Sequence, residues 1–361
     1  MTTRDENAPN FPAGSDEIEN GQTGQSEPDE LTGVLFECSP YGNLDAIVQH
    51  DQRSVYFYLH GDEPFGTRAC WIRNLIEGPY VLSQQDMEAG LPPVMPRTHC
   101  VSAAPATVPD PQSLQIVWFE EGNAAALYEN EELIAVIPPW SGTDGFHGYA
   151  AACAAESPLA WPLVNRDQLL KRLANARQFW DACASEERHP YGQLHTQLLE
   201  AYDQKFGSRL KYFALDGGAF PPRGAAVYRD GGGDGGKLRT VIVSSGMSFR
   251  PQPNVEMSVE NPADLRRIEL AIELPAELDE AGWEPFLKQL SGLVAYPWQA
   301  FTWFGPGHTC QFPAFAEISQ FDSAKFVPES ELNEGNAMEL PDFREDPVSL
   351  LWLVPTESTA V

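Results

Sequence analysis

The residues best suited to chemistry fall in three short stretches. Near the carboxyl end, "LSGLVAYPWQAFTWFGPGHTCQFP" (290–313) gathers Tyr296, Trp298, Phe301, Trp303, His308 and Cys310. An imidazole can take a proton from a thiol, so His308 as general base with Cys310 as nucleophile would make a hydrolase. Two residues apart on a strand, their side chains share a face without being brought into contact, and no acid to orient His308 is identifiable. In "SGTDGFHGYAAAC" (141–153), Asp144 and His147 form a second candidate pair, with Cys153 close by. The glycines at 142, 145 and 148 point instead to a shaped structural loop. The third stretch, "GGGDGGKL" (231–238), satisfies G-x-x-x-x-G-K. A phosphate-binding loop then needs Ser or Thr and a helix, whereas Leu238 and the strand-like "LRTVIV" follow. A glycine hairpin is expected there, and nucleotide binding is rejected.

The rings of 296–303 have two readings besides catalysis. As core, they fill the gap between a helix ending near Tyr296 and the sheet beneath it, the default for most aromatics. As a docking edge, Tyr296, Trp298, Trp303 and His308 meet a partner, with Trp298 and Trp303 partly exposed, because tryptophan is enriched where interface energy concentrates.

The elements that must position these residues are legible from periodicity. Residues 1–30 carry eight acids and one arginine among Gly, Pro, Ser and Asn, which predicts a disordered acidic tail. From Leu31 the signals are mostly β. "DAIVQHDQRSVYFYLHG" (45–61) reads as a hairpin turning at His50-Asp51-Gln52, and "ACWIRNL" (69–75) as a third strand. "QSLQIVWFEEGNAAALYENEELIAVIPPW" (112–140) holds a strand, a Glu-Gly-Asn turn, another strand and a further turn at Glu129-Asn130. The proline-rich connectors 90–97 and 104–112 cannot join a central ladder. Residues 31–164 are thus expected to form one small antiparallel β-rich accessory domain.

A connecting helix is expected over 165–190, its turns capped by Asn165, with Leu169, Leu170, Leu173, Ala176, Phe179 and Trp180 on one stripe. A second helix runs over 191–207 through Leu194, Leu198, Ala201, Tyr202 and Phe206 and ends at Gly207. Beyond it, "AAVYRDGGGDGGKLRTVIVSSGMS" (225–248) gives two strands. "RRIELAIELP" (266–275) alternates, with Ile268, Leu270, Ile272 and Leu274 on one face and Arg267, Glu269 and Glu273 on the other. An amphipathic helix follows over 282–296, and "SLLWLVP" (349–355) is a final strand. The expected class is α+β: two domains of mixed and antiparallel sheets with packed helices, the second spanning 191–361.

Composition narrows the partners. Among 361 residues, 52 acids oppose 23 bases, a formal net charge of −29. Such a field repels phosphate backbones and anionic lipid, so neither nucleic acid nor membrane is an expected partner, while a basic protein would be steered in. The polar, acidic start is unlike a secretory leader, and no stretch is apolar enough to span a bilayer. The six cysteines, at 38, 70, 100, 153, 183 and 310, lack CxxC spacing, so reduced, buried thiols and a cytoplasmic location are expected, with no metal and no cofactor.

From about His195 to Pro355 the chain resembles the suppressor-of-fused domain. The pieces that carry the likeness are "HTQLLEAYDQKFG" at its head, "TVIVSSGMS" (240–248), "RRIELAIELP", "GPGHT" (305–309) and "LLWLVP" (350–355), in that order. The glycine loop and "FRPQPN" (249–254) look like local elaborations, and residues 31–164 look like an accessory domain of bacterial relatives. The resemblance implies a mixed α/β interaction module without catalytic residues. Animal relatives are inhibitory partners of a transcription factor, and bacterial relatives include immunity proteins that neutralise toxins. The additional C-terminal domain of the animal proteins is missing here, so their partner is not carried over. Gly305, Gly307 and Thr309 of the "GPGHT" element are implied to form a structural turn. The expected function is therefore non-catalytic binding of a protein, a basic toxin or regulator, with hydrolysis through His308/Cys310 or Asp144/His147 as the alternative.

Overall fold

The computed structural model describes residues 31–164, 167–185, 189–231, 238–332 and 338–357. The expected disordered tail, the capping Asn165 and the centre of the glycine loop lie outside these residues.

The hairpin around His50-Asp51-Gln52 forms for a local reason. The Asp51 carboxylate accepts the N–H groups of Arg53 and Ser54, each at 3.0 Å, and holds the chain in a tight Asx turn. Four antiparallel strands lie in sequential order: β1 (Thr32–Cys38), β2 (Asp45–His50), β3 (Ser54–His60) and β4 (Thr67–Asn74). The first of these had no clear sequence signal; its burial pattern is that of an exposed edge strand.

Where one sheet was expected before residue 164, there are two. β5 (Leu114–Trp118), β6 (Ala125–Glu129), β7 (Glu132–Ile137) and the two-residue strands β8 (Tyr149–Ala150) and β9 (Trp161–Pro162) make a separate five-stranded sheet. Prolines in the connector between β4 and β5 deny it the donors for a continuous ladder. The two sheets share a core in which Val48, Phe57 and Trp71 join Ile116, Leu127 and Ile137, all buried.

Helix α1 (Asp167–Cys183) lays Leu169, Leu173 and Ala176 against Val117, Phe119 and Val136 of the five-stranded sheet, while its Phe179 enters a different cluster. That cluster belongs to helix α2 (Pro190–Phe206), whose Leu194, Leu198, Tyr202 and Phe206 cover one face of the largest sheet. The other face is covered by Trp283, Phe286 and Leu290 of helix α3 (Glu280–Leu293).

The largest sheet has seven strands: β10 (Arg209–Ala214), β11 (Gly224–Asp230), β12 (Arg239–Ser245), β13 (Arg267–Pro275), β14 (Thr309–Gln311), β15 (Ser323–Pro328) and β16 (Val348–Thr356). Their spatial order is β10-β11-β12-β13-β16-β15-β14, antiparallel except for the parallel pair β13–β16. The protein is α+β with antiparallel and mixed sheets. Among the described residues no helix is long and apolar enough to cross a membrane.

Helices cover both sides of β13. The alternation in "RRIELAIELP" is real, but the polar face is not a wet one: Arg267 and Glu269 are buried, and only Glu273 reaches solvent. Glu269 survives burial because four donors meet it: the N–H of Gly246 (3.0 Å), the N–H and hydroxyl of Ser248 (2.9 and 2.6 Å) and the Ser244 hydroxyl. Desolvation raises its carboxyl above the ordinary pKa.

Candidate functional site

The aromatic stretch lies where α3 gives way to the β14 edge of the large sheet. A short turn of helix, Tyr296–Gln299, continues from α3 and separates the rings. Tyr296 is about half exposed (47%) and stacks on Phe304 at 5.8 Å, with the planes 9° apart. Trp298 points the other way. It is buried, its indole N–H donates to the Pro251 carbonyl at 2.8 Å, and it lies in the same cluster as Phe286 and Leu290. Trp298 is thus core rather than docking edge, since a helical turn sends residues two apart to opposite sides. Trp303 keeps partial exposure, and its ring meets the His308 imidazole edge-on at 4.4 Å.

The "GPGHT" element is a turn that delivers the chain into β14. The Trp303 ring folds over Gly305 so closely that a side chain there would collide with it. Gly307 takes φ = 84°, a left-handed conformation that costs glycine little. Its N–H donates to the Phe326 carbonyl at 2.8 Å, and the Phe326 N–H donates back to the His308 carbonyl at 2.9 Å. Thr309 opens β14 in register with Lys325. Of the four expected docking residues, Tyr296 is exposed, Trp303 and His308 are partly exposed, and Trp298 is buried.

Neither expected catalytic pair is assembled. Cys310 packs against the α3 core, and burial pushes its thiol up to about 11, so the thiolate is scarce at neutral pH. His308 turns to Trp303, and no hydrogen bond joins it to Cys310 among the described residues. In the other loop the His147 ring pairs through Nδ1 with the Ala69 carbonyl at 3.1 Å, while Asp144 is exposed at φ = 51°. Cys153 is buried and burial likewise raises it to about 11. All six cysteines are free thiols; Cys38, contrary to expectation, is exposed.

The densest constellation of charge is one that sequence reasoning missed. A cleft of about 860 Å³ opens between α1, the β5–β6 turn and the segment entering β13. On its floor Arg267, only 2% exposed, donates to Glu120 (2.7 Å), Asp346 (3.2 Å) and the carbonyls of Ser248 and Phe249 (3.1 and 2.9 Å). Glu120 also accepts from Arg344 (3.0 Å), and Asp346 from Arg266 (2.7 Å). Glu256 and Glu121 extend the chain of pairs to Arg266 and Arg172. Beneath it Arg250 is buried between Tyr41 (3.7 Å) and Trp298 (5.4 Å), and desolvation lowers its pKa to about 9.

This lattice is architectural: Glu120, Asp346 and Glu256 each hold two guanidinium groups, and Glu120 reaches partners 147 and 224 positions away. The available signals were "FEEGN" and "RR", both of which also suit an ordinary turn and an ordinary strand start. Glu120 and Arg267 are separated by 147 positions, and no local pattern encodes such a pairing.

Comparison with known proteins found no family model, no curated protein and no solved structure that matches this chain. The likeness to the suppressor-of-fused domain therefore rests on the quoted motifs.

Proposed function

We propose that the protein works by binding a basic protein partner and catalyses no reaction, as a bacterial immunity or regulatory protein of the suppressor-of-fused type acting in the cytoplasm. The observation that carries this reading is how the charges are distributed. Arginines 53, 73, 172, 239, 266, 267 and 344 are engaged with largely buried carboxylates. Glu277, Asp279, Glu284 and many other acids face solvent, so the field a partner meets is strongly negative. Asp279 and Glu284 flank the start of the helix that leads to Tyr296, and Tyr296, Trp303 and His308 supply rings at the edge those charges would steer toward.

A hydrolase working through His308/Cys310 or Asp144/His147 has less behind it, because neither pair is joined and the nearby thiols are held protonated. The test is capture of partners from the native cell at low salt, followed by association kinetics across a salt series. A basic partner is expected, with an on-rate that falls steeply once the screening length drops below about 10 Å. Replacing Tyr296 and Trp303 together by alanine is expected to weaken binding at least about tenfold. Recovery of no protein at low salt, or binding indifferent to salt, overturns the proposal.

A further inference from the structure

A second cavity, of about 420 Å³, has a chemistry unlike the rest of the molecule. It lies where the loop before β4, the loop after β7 and the segment beside Asn254 meet Ala300 and Phe301. In a chain with 52 acidic residues, not one Asp or Glu among the described residues lines it. Its single charged residue is Arg68.

Arg68 is held in place yet has no counter-charge. Its guanidinium lies over the Phe65 ring at 5.1 Å and packs flat against Gly142, where φ = 89° and any side chain would strike the guanidinium. Among the described residues no carboxylate pairs with it, and its buried Nε has no hydrogen-bond partner. Burial alone lowers its pKa. A second lining group is also unmatched: Asn123 is 3% exposed, and its Oδ1 accepts nothing. Unpaired buried polar atoms are rare because each costs about 1–3 kcal/mol.

Three other polar side chains around the cavity have partners. The Asn254 amide donates to the Phe301 carbonyl, Ser258 donates to the Asn254 carbonyl at 2.9 Å, and Ser141 donates to the His147 carbonyl. Asn254 and Phe301 both hold left-handed backbone, φ = 62° and 48°, which for a bulky residue such as phenylalanine is uncommon. Phe65, Phe301, Met257 and three prolines supply an apolar wall. A fixed cation without an anion, beside an apolar wall that carries no carboxylate among the described residues, describes the complement of one kind of molecule.

We propose that this cavity is a binding site for an apolar α-carboxylate whose amine is acylated, the carboxylate pairing with Arg68 and the acylated nitrogen bringing no positive charge, for which the described wall lacks a counter-ion. A free N-acyl amino acid and the carboxyl-terminal residue of a peptide share that chemistry. The site is independent of the docking edge and stands whether or not the protein-binding function holds.

The experiment titrates the full chain with N-acetyl-L-leucine by calorimetry. Saturable binding is expected, weakened at least about tenfold with N-acetyl-L-leucinamide and by Arg68→Gln, since each removes one side of a charge-assisted pair. Met257 is half exposed, so Met257→Glu leaves the core intact and is expected to abolish binding by setting a carboxylate beside the site. A tetrapeptide ending in leucine with a free carboxyl that binds tighter than N-acetyl-L-leucine identifies a peptide terminus as the source; equal or weaker binding identifies the free acid. No saturation by N-acetyl-L-leucine, equal affinity for the leucinamide, or full affinity in Arg68→Gln overturns the proposal.

Discussion

Arg267→Met tests whether the lattice under the large cleft holds the fold together. Methionine fills comparable space with an apolar chain, so little of the effect comes from a void. The substitution removes the cation from Glu120 and Asp346 and leaves the carbonyls of Ser248 and Phe249 without donors. Breaking a buried pair by removing one partner costs about 3–5 kcal/mol. Here Glu120 keeps Arg344 and Asp346 keeps Arg266, which places the loss near about 3 kcal/mol, the lower end of that range. The compact unit Leu31–Val361 unfolds with an entropy of roughly 0.7 kcal/mol/K at ~2.1 cal/mol/K per residue, so the melting temperature should fall by about 4 °C. Arg267→Lys keeps the charge, but a single ammonium cannot serve four acceptors in a plane, and about half the loss is expected. Urea unfolding gives the free energies, and a double-mutant cycle with Glu120→Gln should show a coupling of about 1–2 kcal/mol. A change within about 0.5 kcal/mol for Arg267→Met, or a lysine variant as damaged as the methionine one, would refute the reasoning.

Three further outcomes are expected. Gly246→Ala should destabilise by at least about 2 kcal/mol in urea, because φ is 96° and the added carbon would lie closer than 3.0 Å to the Pro222 carbonyl; a neutral result would show that this turn can relax. Cys310 should react with iodoacetamide at a rate that keeps rising about tenfold per pH unit to about pH 10, as a thiol of pKa about 11 requires; a plateau near neutrality, read by mass spectrometry, would contradict its burial. Glu269 has a folded pKa raised above the ordinary 4.5, so the folded state binds its proton more tightly than the unfolded chain does. That contribution to stability is present below the window and is lost as pH rises through it. Unfolding free energies of Glu269→Gln and the natural chain should therefore shift in the variant's favour as pH climbs above 4.5, and parallel curves would sink the assignment.

Much of the architecture was written in local pattern. The hairpin at His50-Asp51-Gln52 follows from an aspartate able to cap its own turn, and both long helices end within a few residues of where their apolar stripes stop. Weak signals were lost where strands are short or lie at an edge. β1, β8, β9 and β14 have too few residues, or too much exposure, for an alternation to stand out. The aromatic stretch was half legible. Clustered rings flagged the stretch 296–308, but only the helical turn at Tyr296–Gln299 decided that Trp298 goes inward while Tyr296 stays out.

The amino-acid order by itself determined the element types, the α+β class and the acidic field, because each depends on neighbours a few positions apart or on a simple sum of charges. Tertiary structure alone decided which polar residues meet. Arg267 lies over Phe343 and pairs with Glu120, and Arg68 faces a cavity with no acid among the described residues of its wall. Periodicity says which face of a strand a side chain occupies but not what will cover that face. Burial without water turns an ordinary charged residue into a lattice or a site, and that burial arises only when distant segments pack.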